Sequence, residues 1–104
     1  MKRLGVMALG VLIMVAAAST AAGARIEVWQ VGPDNRYDDA HRATLYSETR
    51  GRYRLEADFP PPYARRPSHV HILVDARGFQ GLITQHYPVK GTSRARFDLV
   101  ILPE

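Results

Sequence analysis

Residues 69–74 read His69-Val-His-Ile-Leu-Val74, a stretch in which β-branched side chains recur at every second position. Side chains alternate between the two faces of a strand, so Val70, Ile72 and Val74 share one face. His69 and His71 share the other. The apolar face can enter a core while both imidazoles converge outside it. The stretch therefore predicts a half-buried strand that carries a His-x-His pair.

Four other stretches have the composition of short strands. They are residues 26–31, 53–57, 82–87 and 97–102. Gly32-Pro-Asp-Asn35 indicates a turn, and Pro60-Pro-Pro62 excludes both a helix and a central strand. No convincing helical period occurs after residue 24. The sequence predicts a mainly β fold, a small antiparallel β-sandwich of five or six strands preceded by a hydrophobic signal-peptide helix.

The N-terminal segment has the layout of a secretory signal peptide. Basic residues at positions 2 and 3 precede an apolar stretch that runs to about Ala18, and small residues follow as far as Ala24. The apolar stretch is short for a membrane span. We therefore expect a signal peptide at residues 1–24, one domain at residues 25–104, a secreted or periplasmic location and no permanent membrane anchor.

Charge and cysteine content narrow the classes of function. The chain has 14 basic and 10 acidic side chains, and without Lys2 and Arg3 it is nearly neutral. Its basic residues are scattered among acidic ones, which argues against nucleic acid as a partner. The absence of cysteine restricts any bound metal to nitrogen and oxygen ligands. A domain of about 80 residues has a small core, which favours a stabilising metal or a homo-oligomer.

The His-x-His pair offers two imidazole nitrogens to one ion without distorting the strand. Alone it is weak evidence, because two exposed polar residues on a half-buried strand have the same pattern. Tyrosines are also commoner as core or rim aromatics than as ligands. Together with Tyr37 and Tyr63, however, the pair would form a ligand set that suits ferric iron, a hard ion that favours phenolate oxygen.

Seven segments occur in the order found in one known family. They are Gly23-Ala-Arg-Ile-Glu-Val-Trp-Gln30, Asn35-Arg-Tyr37, Gly51-Arg-Tyr-Arg-Leu55, Pro60-Pro-Pro-Tyr63, Arg66-Pro-Ser-His-Val-His71, Leu82-Ile-Thr-Gln85 and Phe97-Asp-Leu-Val100. Through them the chain resembles the intradiol ring-cleavage dioxygenases, which include the catechol and protocatechuate enzymes. The fifth segment follows the signature Arg-Pro-x-His-Ile-His closely. Two residues depart from the family pattern: Pro61 replaces a turn glycine, and His86 replaces an apolar residue.

The resemblance implies one non-haem Fe(III) ion with four protein ligands. These would be Tyr37, Tyr63, His69 and His71. In the family the second tyrosine leaves the metal when catechol arrives, so Tyr63 would also take up a substrate proton. Arg66 would stabilise negative charge on the ring, and Gln85 would orient the ring. The implied reaction is cleavage of a catechol-type diol by O2 to a cis,cis-muconate-type product.

Two other functions stay open on the sequence alone. A secreted β-sandwich binding module would use Trp29 and Tyr53 as exposed contact residues for a carbohydrate or a protein. In that case Arg66 would only pair with an acidic residue, and Gln85 would be an ordinary strand residue. The other alternative is a truncated, catalytically weak dioxygenase-like protein, because the segment between the two tyrosines is shorter than in the well-known enzymes.

Overall fold

A computed structural model describes the backbone of residues 11–17 and all atoms of residues 22–104. Within these ranges the chain forms strands and one short 3-10 helix, Thr49–Gly51. The strands are β1 Val11–Ala17, β2 Arg25–Val31, β3 Tyr37–Tyr46, β4 Arg52–Asp58, β5 Val70–Asp75, β6 Leu82–His86 and β7 Arg94–Ala95. They form two sheets, in the orders β4-β1-β7 and β3-β2-β5-β6. All pairs are antiparallel except β1 with β7, so the prediction of a mainly β, antiparallel fold is confirmed.

The core lies between the two sheets. Val70, Ile72 and Val74 are at most 1% exposed, which confirms the predicted apolar face of β5. The other sheet contributes alternate residues of β4 to the same cluster, including Leu55, which is also 1% exposed. Because β5 turns its apolar face inward, the His-x-His pair lies on the outer face of the four-stranded sheet.

The register of the four-stranded sheet aligns four polar or aromatic side chains across its outer face. Trp29 of β2 lies opposite Arg42 of β3 on one side and opposite His71 of β5 on the other. Gln85 of β6 then lies opposite His71. A slip of one residue in any pairing would turn these side chains towards the core, so burial of the other face fixes this row.

Strand β3 was not predicted from the sequence. Of its ten residues only Leu45 is buried, so the apolar alternation that indicates a strand is missing. The strand lies at the edge of its sheet and is held by backbone pairing with β2. A register shift between Trp29 and Val31 lets Tyr37 pair with Val31 at the start of β3.

The predicted strand at residues 97–102 was wrong, because this segment pairs at isolated positions and forms no ladder in the described chain. Its alternation still has a physical meaning. Leu99 and Ile101 are buried in the core cluster, whereas Val100 and Leu102 are exposed. The segment is therefore an extended chain that covers the core.

The predicted signal peptide at residues 1–24 falls mostly outside the described residues and stays a prediction, as does the domain boundary after it. The backbone of residues 11–17, which is described, forms β1. This strand pairs along its whole length with β4 and at two positions with β7, so it is the middle strand of its sheet. In the described ranges no helix has the length and apolar character needed to span a membrane.

Candidate metal centre

The two histidines of the His-x-His pair lie at the start of β5, and one of them has a defined tautomer. His69 is 3% exposed, and its Nδ1 lies 2.9 Å from the carbonyl oxygen of Pro67. A carbonyl can only accept a hydrogen bond, so Nδ1 carries the proton and Nε2 carries the lone pair. That lone pair faces the Tyr37 hydroxyl oxygen at 3.5 Å. His69 is thus prepared to bind an ion through Nε2.

Tyr37 brings an oxygen to both imidazoles. Its Oη lies 3.0 Å from Nε2 of His71 and 3.5 Å from Nε2 of His69. Adjacent ligand atoms on an ion with bonds of about 2.1 Å are separated by roughly 3 Å. Both oxygen–nitrogen distances therefore fit ligand atoms that share a metal ion. Two neutral nitrogens and a phenol oxygen also form a donor set that suits iron.

Tyr63 reaches the site through a tight turn. The backbones of Tyr63 and Arg66 exchange two hydrogen bonds, of 3.2 and 2.9 Å. Between them Ala64 and Arg65 have φ angles of 52° and 64°, the conformation of a two-residue type I′ turn. The turn places Tyr63 and Arg66 side by side. The Tyr63 ring packs edge-on against Tyr37, with centroids 5.3 Å apart.

Without a cation, the electrostatics of the site favour a neutral His71 and a protonated Tyr37. Burial lowers the pKa of His71, and the neighbouring His69 and Arg66 lower it further. Burial raises the pKa of Tyr37, as does Tyr63, while Arg66 acts in the opposite direction. Neutral imidazole is the form that binds metals. A bound cation would reverse the shift on the phenol, because it favours the phenolate.

The indole of Trp29 orients His71. The two rings are stacked, with centroids 5.1 Å apart and an angle of 8° between their planes. The Arg42 guanidinium lies 5.7 Å from the centroid of the indole. The stack follows from the sheet register, and it limits rotation of the imidazole about its own axis. The sequence did not predict this role of Trp29.

Tyr53 was predicted as an exposed contact residue, and this was wrong. Its side chain is 3% exposed and belongs to the core cluster. Its hydroxyl donates a hydrogen bond to the carbonyl oxygen of Phe97, and burial raises its pKa. The alternation of β4 turns Tyr53 inward together with Leu55, so it is unavailable to a partner.

Arg66 and Gln85, both predicted as catalytic residues, are in contact. Arg66 Nη2 donates hydrogen bonds to Oε1 of Gln85 and, at 2.9 Å, to the hydroxyl of Tyr87. Tyr87 in turn donates to Gln85 Oε1 at 2.8 Å. The Tyr87 ring lies 6.3 Å from that of His69. Sequence reasoning missed Tyr87, although its spacing of two from Gln85 on an extended strand indicates a shared face.

His41 forms a separate cluster with two aspartates. Nδ1 of His41 lies 2.7 Å from a carboxylate oxygen of Asp38, and its Nε2 lies 3.9 Å from Asp58. This cluster connects β3 with β4. Among residues 22–104, no group of three or more His, Cys, Asp or Glu side chains could hold a metal ion. A site in this part of the chain therefore needs its tyrosines.

Sequence comparison identifies relatives with a common activity. No protein-family model matches the chain. Chlorocatechol 1,2-dioxygenase of Pseudomonas putida is 33% identical over 64% of this chain and 35% of its own length. Hydroxyquinol 1,2-dioxygenase of Rhodococcus opacus is 31% identical over 74% of this chain and 34% of its own length. The chain thus spans about a third of the length of the curated relatives that it matches.

Structure comparison finds the same fold. Chlorocatechol 1,2-dioxygenase from Pseudomonas putida superposes with a TM-score of 0.78 at 22% identity, over 96% of this chain and 63% of that one. The dioxygenase domain of a dioxygenase carbohydrate-binding protein fusion from Streptomyces sp. SirexAA-E has a TM-score of 0.80 at 21% identity. That match covers 91% of this chain and 81% of the domain. At these identities the likeness is one of fold.

Proposed function

Because this chain belongs to the intradiol ring-cleavage dioxygenase family, we propose that it binds Fe(III) and cleaves a catechol-type diol with O2 to a cis,cis-muconate-type diacid. The observation that carries the proposal is the position of Tyr37 Oη, which lies within 3.5 Å of Nε2 of both His69 and His71. Tyr37, which is distant from both histidines in sequence, thus brings a phenol oxygen to both imidazoles. Tyr63, packed against the Tyr37 ring, is the fourth ligand.

Tyr37, Tyr63, His69 and His71 would hold the ferric ion, which would supply a hard Lewis acid that lowers the pKa of phenols and of a diol. The protein residues have separate tasks. His69 is held by the Pro67 carbonyl and His71 by the Trp29 stack, so both remain in place as ligands. As a phenolate in the iron-loaded protein, Tyr63 would accept one proton of the arriving diol at Oη.

Arg66 and Gln85 act on the substrate ring. Attack of O2 on an electron-rich ring requires donors where negative charge accumulates. The positive charge of Arg66 lowers the pKa of both Tyr37 and His71, which supports a role on a diol bound beside them. Gln85 lies next to His71 across the sheet and can donate from its amide nitrogen.

An iron-binding protein with little turnover is the second candidate function. One observation favours it: Tyr37 is 42% exposed, so the metal centre is open to solvent on the side of this ligand, although His69 is buried. A dioxygenase gains rate from walls that orient the substrate and exclude water. Ligand binding depends on a few donor atoms, whereas turnover also depends on those walls.

Oxygen consumption tests the proposed reaction. The full chain, loaded with Fe(III), is mixed with catechol in an oxygen electrode while the product is identified by mass spectrometry. The proposal predicts equal consumption of O2 and catechol and formation of cis,cis-muconate, with no turnover by the His71→Ala variant. Formation of a ring-opened semialdehyde, or turnover that persists in His71→Ala, would overturn it.

A further inference from the structure

We propose that Tyr87 is a positioning residue that fixes Arg66 and Gln85 as hydrogen-bond donors towards the substrate ring. This inference rests on the proposed dioxygenase function. Tyr87 follows the last residue of β6, and its side chain is 50% exposed. Its hydroxyl is nevertheless engaged twice, as an acceptor from Arg66 at 2.9 Å and as a donor to Gln85 at 2.8 Å.

The hydrogen-bonding capacity of the three side chains allows only one arrangement of these contacts. A guanidinium has only donors, so Gln85 must turn its carbonyl oxygen, not its amide nitrogen, towards Arg66. The same oxygen accepts the Tyr87 hydroxyl proton. Three hydrogen bonds therefore close a ring among Arg66, Gln85 and Tyr87. With its oxygen occupied, Gln85 has its NH2 group available for other partners.

This arrangement matters for a ring that becomes negatively charged. An amide that rotated by half a turn would present an oxygen to the substrate, and two electron-rich oxygens would repel each other. The Tyr87 hydroxyl opposes this rotation, because it needs an acceptor from Gln85. It also binds the long Arg66 side chain at a second point. Less side-chain conformational entropy is then lost when the guanidinium interacts with the substrate ring.

Removal of the hydroxyl should affect the reaction and leave the metal centre unchanged. Tyr87→Phe keeps the ring beside His69 but removes both hydrogen bonds. For the full, iron-loaded chain we expect kcat/KM for catechol to fall about tenfold to thirtyfold, chiefly through kcat. The visible spectrum and the iron stoichiometry should stay as in the wild type. Tyr46→Phe, at a tyrosine that is 63% exposed on β3, is the matched control and should change neither.

A double-mutant cycle tests whether Tyr87 acts through Arg66. Arg66→Lys keeps the charge but removes the forked guanidinium. In this background Tyr87→Phe should lower kcat/KM less than about threefold, because one of the two hydrogen bonds that it removes, the one from Arg66, is already broken. Additive losses in the double variant, or an unchanged kcat/KM in the single variant, would overturn the role of Tyr87.

A measurement on metal-free protein separates this inference from the proposed function. In nuclear magnetic resonance spectra the side-chain NH2 signals of Gln85 should shift towards those of free glutamine in Tyr87→Phe and stay in place in Tyr46→Phe. Unchanged Gln85 signals in Tyr87→Phe would refute the positioning role. A wild-type protein without iron colour or turnover would instead refute the dioxygenase function, and the Gln85 signals would still decide whether Tyr87 orders the cluster.

Discussion

The hydroxyl oxygen of Tyr37 lies 3.0 Å from Nε2 of His71, although the two residues are 34 positions apart and β2 runs between their strands. Strands two apart in a sheet are separated by about 9.6 Å, so a short side chain could not bridge them. The side chain of Tyr37 can bridge this distance, because Tyr37 is the first residue of an edge strand and its phenol extends across β2. The metal centre thus depends on a long aromatic side chain and on the register of three strands.

The stack of Trp29 on His71 should make the protein report metal binding by fluorescence. Trp29 is the single tryptophan of the chain, and its ring centroid is 5.1 Å from that of a proposed ligand. Titration with Fe(III) should quench most of its emission, with an endpoint at one ion per chain. In His71→Ala the same titration should leave the emission within about a tenth of its starting value. Equal quenching in both proteins would place the ion elsewhere.

His86 should limit stability in acid. Its Nε2 is buried and has no hydrogen-bond partner among residues 22–104, and burial lowers its pKa from the ordinary 6.5. The unfolded chain then binds more protons than the folded one below about pH 6.5, so the free energy of unfolding falls as the pH drops through that value. Above about pH 6.5, His86 is neutral in both states and no longer lowers the free energy of unfolding through protonation.

Replacement of His86 by leucine should remove this loss of stability in acid. We expect urea unfolding to show a gain of about 1 kcal/mol at pH 7 and a larger gain at pH 5, since a buried polar atom without a hydrogen-bond partner is removed. His41→Leu is the control with the opposite sign, because His41 is hydrogen-bonded to Asp38. A His86→Leu protein whose stability falls as steeply with acid as the wild type would contradict this account.

The turn between Tyr63 and Arg66 should be improved by glycine. Arg65 has a φ of 64°, which costs a side-chain-bearing residue about 1 kcal/mol and costs glycine almost nothing. Arg65→Gly should therefore raise the free energy of unfolding by up to about 1 kcal/mol. The same replacement at Arg54, inside β4, should lower it by a similar amount. Thermal unfolding of both variants provides the test, and a loss of stability in Arg65→Gly would argue against a left-handed turn.

Strand β1 and a cleaved signal peptide are incompatible uses of residues 11–17, because cleavage after residue 24 would remove the strand from the sheet. As the middle strand, β1 pairs with β4 over seven positions. A protein that starts at residue 25 should therefore lose on the order of 3 kcal/mol or more, with about 0.5–1.5 kcal/mol for each hydrogen bond. A protein that starts at residue 11 keeps β1 and is the matched reference. Equal stability of all three proteins in urea would show that the domain does not need β1.

Much of the four-stranded sheet was predictable because burial leaves a periodic trace in the sequence. The apolar face of β5 and the outward His-x-His pair followed from alternation alone. Strand β3 left no such trace, since an edge strand is held by backbone pairing and its side chains are mostly exposed. In the apolar N-terminal stretch, composition alone does not distinguish a leader from a strand.

The site residues were predictable to the extent that motifs encode them. The positions of Tyr37, Tyr63, His69 and His71 came from the family resemblance, and strand geometry explained only the two histidines. The contacts of Trp29 and Tyr87 depend on register between strands, which a single sequence does not specify. The exposure predicted for Tyr53 failed for a related reason, because the direction of an alternating strand is set by its partner sheet.

Iron titration followed by visible absorption tests the central claim most directly. Ferric tyrosinate is coloured by charge transfer from phenolate to metal, so the wild-type chain should gain a visible band that saturates at one Fe(III) per chain. Tyr37→Phe and Tyr63→Phe should each lose or strongly weaken the band, while Tyr46→Phe keeps it. A wild-type protein that stays colourless, or ligand variants whose spectra equal that of the wild type, would contradict the assignment of the metal centre.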